Sequence, residues 1–201
     1  NKGGGAASTP AQMQAVVEGA HAHGMKAHMD GARAFNAAVA QGLSIAELLR
    51  GLDSAQLCLS KGLGAPVGSL LVGSKVTIKR ARKWRKMVGG GVRQAGILAA
   101  AGLYALEHHV ERLHEDHENA QILAEALDQV QGLKVLRPDI MTNILCVDTT
   151  DSGKSGVEWV KIMADQGIKI GANGPFSIRF VTHLDVNRND IMEAIVRLRQ
   201  I

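Results

Sequence analysis

Two short strand-like runs, residues 25–29 and 55–59, constrain this chain most, because a charged residue follows each within two positions and two segments of helical periodicity separate them. Each run has the length of a strand. Between them, residues 36–41 and 44–50 read as helices, and Ser44 with Glu47 three positions on spells a capping box. The order strand, helix, strand is a crossover unit, and it predicts an open α/β sheet. Such sheets put their ligand-binding residues just beyond the carboxyl ends of the strands. Those positions are Asp30, after the first run, and Ser60-Lys61, after the second. Residues 67–72 form a further apolar run, expected to return antiparallel at the edge of the sheet.

An acid and a lysine at adjoining strand ends suit pyridoxal phosphate chemistry. The lysine amine can form a Schiff base with the cofactor aldehyde. The carboxylate can hold a proton on the pyridine nitrogen and keep the ring electron-withdrawing. Neither residue is informative alone, since most Asp-Gly pairs are turns and most lysines are solvated.

The surrounding words are more specific. Asp30-Gly31-Ala32-Arg33, then Ser60-Lys61-Gly62-Leu63-Gly64-Ala65-Pro66-Val67-Gly68-Ser69, then Trp84-Arg85-Lys86-Met87-Val88-Gly89-Gly90-Gly91-Val92-Arg93-Gln94-Ala95-Gly96 occur in this order, followed by Arg179-Phe180-Val181-Thr182-His183-Leu184-Asp185. This series closely resembles the low-specificity threonine aldolases, members of the aspartate aminotransferase fold family, and the resemblance runs through nearly the whole chain.

The resemblance implies a fold-type I α/β architecture. Residues 1–109 would be the C-terminal part of the cofactor-binding domain, with an incomplete sheet, and 110–201 a small α/β domain. Lys61 would carry the cofactor and Asp30 would pair with its ring nitrogen. Arg33 would bind the substrate carboxylate and touch the cofactor's phenolic oxygen. Arg179 would also bind the substrate carboxylate, and Arg93 would lie near the cofactor phosphate in a site built between subunits. A homodimer or homotetramer follows. Asn143, in a family-like Thr142-Asn143 pair, suits strand-start hydrogen bonding as well as a functional role. The implied reaction is retro-aldol cleavage of a β-hydroxy amino acid, L-threonine or L-allo-threonine, to glycine and acetaldehyde.

The same resemblance implies a substantial N-terminal segment, holding the phosphate loop and a ring-stacking face, that this chain lacks. The opening Asn1-Lys2-Gly3-Gly4-Gly5 matches the end of that segment. The chain therefore reads as an N-terminally truncated fragment. Two alternatives stay open: another activity on the same fold, a β-eliminating lyase or a decarboxylase, and a non-catalytic fragment.

Composition limits the rest. No apolar run nears the roughly 18–20 residues that span a bilayer, and a cytoplasmic setting is expected. Cys58 and Cys146 are expected as buried, reduced thiols. No cluster has metal-ligand spacing, so no metal is expected; His21, His23, His108, His109, His114 and His117 are read as solvated or capping. Net charge is +4, with Lys75, Lys79, Arg80, Arg82, Lys83, Arg85 and Lys86 crowded together. Without interleaved aromatics this stretch reads as a solvated helix, or one supplying cations to an anionic cofactor across a subunit boundary, rather than a nucleic-acid site. Helices are further expected at 10–23, 75–87, 92–108, 110–130, 156–166 and 189–200, and strands at 134–137, 143–147, 169–170 and 177–181.

Overall fold

The computed structural model describes residues 4–137 and 141–201; the opening Asn1-Lys2-Gly3 lies outside the described residues. These residues form two compact units, one of 8–113 and one of 114–201 joined by the short segment 4–7. The division expected after residue 109 falls four residues later. Segment 4–7 groups with the second unit, where the Thr142 hydroxyl donates to the Gly5 carbonyl (2.6 Å).

Local capping chemistry sets the helices of the first unit. Helix α1 (Pro10–Ala22) starts with a capping box in which Thr9 Oγ1 accepts from the Gln12 amide and Gln12 Oε1 accepts from the Thr9 amide. Such a cap contributes about 1 kcal/mol. Gly24, in the left-handed region at φ +68°, ends that turn. Strand β1 (His28–Gly31) leads into α2 (Ala34–Ala40) and α3 (Ile45–Leu48), the latter carrying the expected Ser44–Glu47 box.

Strand β2 (Ser54–Cys58) pairs parallel with β1, and β3 (Ser69–Gly73) pairs antiparallel with β2, giving the order β1-β2-β3. The crossover and the edge strand thus stand as expected. Ala55 and Leu57 are buried on one face of β2; Leu57 packs with Ala34, Phe35, Leu48 and Leu63 in the core. Burying a leucine of this kind is worth about 1.5–3 kcal/mol.

The basic stretch forms α4 (Lys75–Met87), begun by Ser74 Oγ accepting from the Thr77 amide. Helix α5 (Gly96–His108) starts four residues later than the sequence predicts, because Gln94 sits at φ +49° and interrupts the helical backbone. Its apolar composition suggests a buried helix, yet it buries only Gly102 and Ala105, and Ile97 is 85% exposed. Gly102 is where the helix comes close to the sheet: a Cβ there would lie 3.0 Å from Leu59 Cδ1.

The second unit is an antiparallel sheet of order β4-β5-β7-β6 with helices α6, α7 and α8. Its elements are α6 (Leu113–Leu127), β4 (Lys134–Leu136), β5 (Ile144–Asp148), α7 (Gly156–Asp165), β6 (Gly171–Gly174), β7 (Ser177–Val181) and α8 (Arg188–Leu198). Leu127, Leu145, Val147, Trp159, Met163, Ile178 and Leu198 form its core. The strand expected at 169–170 lies instead at 171–174. Residues of low strand propensity are held there by pairing with β7 across the tight turn at Pro175-Phe176. The turn is fixed in place by α7, whose Gly156 amide donates to the Pro175 carbonyl at 2.7 Å.

Candidate functional site

Asp30 is opposite Gln56 in the parallel register of β1 and β2, and Gln56 is opposite Leu71 of β3. Side chains alternate across a strand, so Asp30, Gln56, Cys58 and Ser69 share the face opposite Ala55 and Leu57. Asp30 is exposed there, and its Oδ1 accepts from the Ala32 amide (3.2 Å). This small turn aims the carboxylate past the strand end. Gly31 allows it: a Cβ at that position would lie 2.5 Å from the Gln56 carbonyl oxygen and 3.1 Å from Ala34 Cβ. Only glycine lets β1 run this close to β2 while turning into α2. Arg33, half-buried, is the N-cap residue of α2.

Lys61 is exposed, three residues beyond the end of β2. Its backbone belongs to a loop closed on itself. The Leu59 amide donates to the Gly68 carbonyl, the Ala65 amide to the Leu59 carbonyl and the Gly64 amide to the Lys61 carbonyl, at 2.9–3.0 Å. Gly64 takes the left-handed φ of +67° that this turn requires. Gly62 is packed so tightly that a Cβ would meet Asn36 Oδ1 at 2.7 Å and Leu113 Cδ2 at 3.1 Å.

Cys58 lies on the same face of the sheet as Asp30. Gln56 Nε2 donates to Cys58 Sγ (3.1 Å), and Ser69 Oγ lies 3.7 Å from the sulfur. Partial burial pushes the Cys58 thiol up, but the hydrogen bonds from Gln56 and Ser69 and the neighbouring Lys61 ammonium outweigh it and hold the thiol below its usual range. Cys58 is accordingly not the buried thiol that its apolar strand suggests. Cys146 is: it is 3% exposed, and burial raises its pKa.

The two further arginines lie on other elements. Arg93 is exposed on the segment between the three glycines 89–91 and α5. Arg179 belongs to the second unit, on β7 opposite Cys146, half-exposed on the face away from the core residues Ile178 and Phe180. Asn143, 1% exposed, donates to the Thr182 carbonyl (2.7 Å), and its backbone carbonyl accepts from the Thr182 amide. That is the strand-start bonding its position suggests.

Two of the histidines read as solvated or capping have further surroundings that this reading does not give. His109 Nδ1 lies 2.6 Å from the Leu63 carbonyl oxygen, inside the lysine loop. His117 is substantially buried, and burial, helped by the charge of His114, lowers its pKa to about 4. Neither was legible from helical periodicity. Two clefts in the second unit, of about 760 and 450 Å³, are lined by none of Asp30, Lys61 or Arg179. Among the described residues no three His, Cys, Asp or Glu side chains are grouped to hold a metal ion.

A family model described as beta-eliminating lyase matches residues 1–150. The chain is 50% identical over 172 residues to a low specificity L-threonine aldolase of Escherichia coli O157:H7, covering 86% of this chain and 50% of that protein. It is 42% identical over 177 residues to low-specificity L-threonine aldolase 1 of Arabidopsis thaliana, covering 88% and 49%. It spans about half the length of the curated relatives it matches. A solved structure from Listeria monocytogenes, provisionally assigned as an L-allo-threonine aldolase, superposes with a TM-score of 0.80 at 22% identity, over 98% of this chain and 58% of its own. At that identity the likeness speaks for the fold.

Proposed function

Because the chain belongs to the beta-eliminating lyase family, we propose that the protein is a pyridoxal 5'-phosphate-dependent aldolase cleaving β-hydroxy amino acids, L-threonine or L-allo-threonine, to glycine and acetaldehyde. One observation supports the reading most: Asp30, near the end of β1, and Lys61, three residues past the end of β2, are both exposed at the carboxyl ends of adjoining parallel strands. Identity near one-half to low-specificity L-threonine aldolases supports the choice of reaction.

The residues present fit such a cofactor. Asp30 and Lys61 are both exposed, and the glycine cradle at 31 and 62 leaves no room for side chains that would shift either backbone. Lys61 would hold the cofactor's aldehyde carbon through its amine. Asp30 would hold the proton on the ring nitrogen by a charge-assisted hydrogen bond. Arg33 would bind the substrate carboxylate and contact the phenolic oxygen, its planar fork matching carboxylate geometry. Arg93 would bind near the phosphate. A part for Arg179 in binding substrate carboxylate is supported by its motif. When bound, the cofactor supplies a sink for the electron pair released as the Cα–Cβ bond breaks.

The proposal extends to subunit association as a homodimer or homotetramer. It is supported by the apolar side chains that α4, α5 and the segment between them leave in solvent, among them Trp84, Met87, Val92, Ile97 and Leu103. A cytoplasmic setting belongs to the same reading, supported by two free cysteines.

The test is to incubate the protein with pyridoxal 5'-phosphate, reduce with borohydride and map the adduct. Amino-acid turnover is then followed by its products. A single adduct on Lys61 with glycine and acetaldehyde released from threonine is expected. Pyruvate and ammonia from serine, without glycine from threonine, would replace the aldolase reading with β-elimination. Scattered adducts and no turnover would leave a non-catalytic piece.

A further inference from the structure

The loop that carries Lys61 is tied to a helix by a side chain 46 residues further along the chain. His109, the C-cap residue of α5, places Nδ1 2.6 Å from the carbonyl oxygen of Leu63. A carbonyl oxygen only accepts, so Nδ1 carries the proton in this contact. Both ends of the bond are held. The His109 amide donates to the Ala105 carbonyl (2.9 Å), and the Tyr104 ring meets the imidazole edge-on at 5.4 Å. On the other side, the Leu63 side chain is 1% exposed and packs in a core with Leu59, Ala65, Ala105 and Leu113.

The loop's own backbone bonds join its residues to one another: Leu59 to Gly68, Ala65 to Leu59 and Gly64 to Lys61. They define its shape, whereas the His109 bond fixes that shape against α5. Leu63 is two residues from Lys61, and Gly62 between them is confined by Asn36 Oδ1 and Leu113 Cδ2. Rotation of the Leu63–Gly64 peptide would break the His109 bond and carry the Lys61 backbone with it.

We propose that His109 is a positioning residue: its Nδ1–H, bonded to the Leu63 carbonyl, locks the loop so that Lys61 presents its amine from the carboxyl end of β2. The proposal rests on the reading that Lys61 carries the cofactor. Displacing a reacting group by about 1 Å can cost on the order of 100-fold in rate, so a lock on the backbone beside Lys61 has a direct use.

The two amide-bearing replacements separate this role from packing. Asparagine puts its Nδ2 close to where Nδ1 stands and can keep the bond; glutamine puts its nitrogen where Nε2 stands and cannot. We would compare the chain with H109N and H109Q by two measurements. In the first, without cofactor, amide hydrogen exchange at Gly64 and Ala65 should be about tenfold faster in H109Q and within about twofold of the original in H109N. In the second, borohydride-trapped pyridoxyl adduct on Lys61 should fall about tenfold in H109Q and persist in H109N. Equal behaviour of the two variants, or unchanged exchange in H109Q, overturns the proposal. Failure of the unsubstituted chain to form any Lys61 adduct would sink the cofactor reading, while the exchange data would still decide the lock. If H109Q does not fold, nitrogen-15 shifts of His109 in the unsubstituted chain decide instead. A protonated Nδ1 is expected, and a neutral ring protonated on Nε2 overturns the assignment.

Discussion

Gln56 ties Asp30 to Cys58: its backbone is in register with Asp30 on β1, and its side-chain amide donates to the sulfur of Cys58, 3.1 Å away. Cys58 in turn feels the Lys61 ammonium. A thiol thus reports on the lysine, and its reactivity can be measured without any cofactor.

The first prediction uses that reporter. Cys58 is half-buried with its pKa lowered, whereas Cys146 is buried with its pKa raised. Thiolate is the reactive form, so iodoacetamide near pH 7.5 should label Cys58 and leave Cys146 largely untouched until the chain unfolds. In Lys61→Met the ammonium is gone, and the pH profile of Cys58 labelling should move upward. Peptide mass mapping across pH reads both effects. Equal labelling of the two cysteines, or a profile indifferent to Lys61, would remove the lysine from the surroundings of Cys58.

A second prediction concerns Asp30. If its carboxylate keeps a proton on the cofactor nitrogen, Asp30→Asn retains the size and loses the charge. Turnover of threonine should then fall by on the order of 100-fold or more. Adduct formation on Lys61 should persist, since the amine is untouched. Comparing the borohydride-trapped adduct with kcat separates the roles: loss of both together would mean that Asp30 shapes the loop rather than the chemistry.

How legible all this was depends on the range of the interaction. The caps at Thr9 and Ser44, the glycine stop at Gly24, the crossover and the antiparallel return of β3 stand where local patterns place them, because each is decided within a few residues. Lys61 lies past the end of β2 as the same signals place it, whereas Asp30, expected just beyond its strand, is the last residue but one of β1, which runs later than 25–29. His109 meets Leu63 across 46 residues, and nothing in a helical pattern announces that partner. Cys58 lies in an apolar run, and which face of β2 is covered depends on where α2 and α5 pack. Strand β6 is written in residues that disfavour strands and exists through its pairing with β7. Helix α5 has the composition of a core helix and an exposed surface, so composition alone misjudges its burial.

Gly31 gives a third, structural prediction. A methyl group there would press on the Gln56 carbonyl oxygen at 2.5 Å, a backbone atom fixed by the sheet. Gly31→Ala should therefore cost about 1–3 kcal/mol, the usual range for overpacking. Because β1 would have to move from β2, it should also weaken the Asp30 placement. Gly19, on an open helix surface where a Cβ meets nothing within 4 Å, is the control. Gly19→Ala should be neutral or slightly stabilising. Urea midpoints of the two variants decide; equal midpoints would mean that the strands yield more easily than this spacing implies.

The last prediction is a pH dependence of stability from His117. Burial, with the charge of His114, brings its folded pKa from about 6.5 down to about 4. The folded state thus prefers the neutral ring, and the unfolded chain binds the proton more tightly. Stability is whole above pH 6.5 and is lost as pH falls toward 4, where the folded form begins to protonate as well. Full burial would make this worth about 3 kcal/mol; the side chain keeps some contact with solvent, and screening reduces it to about 1–2 kcal/mol. Asp128, whose carboxyl is held low by Arg137 and the Val135 amide against its partial burial, is also destabilising on acidification, at lower pH. The comparison must therefore be between the original chain and His117→Gln. Between pH 7 and pH 4.5 the thermal midpoint of the original should drop further than that of the variant. Parallel curves would show that His117 titrates alike in both states, and that its surroundings on α6 open to water.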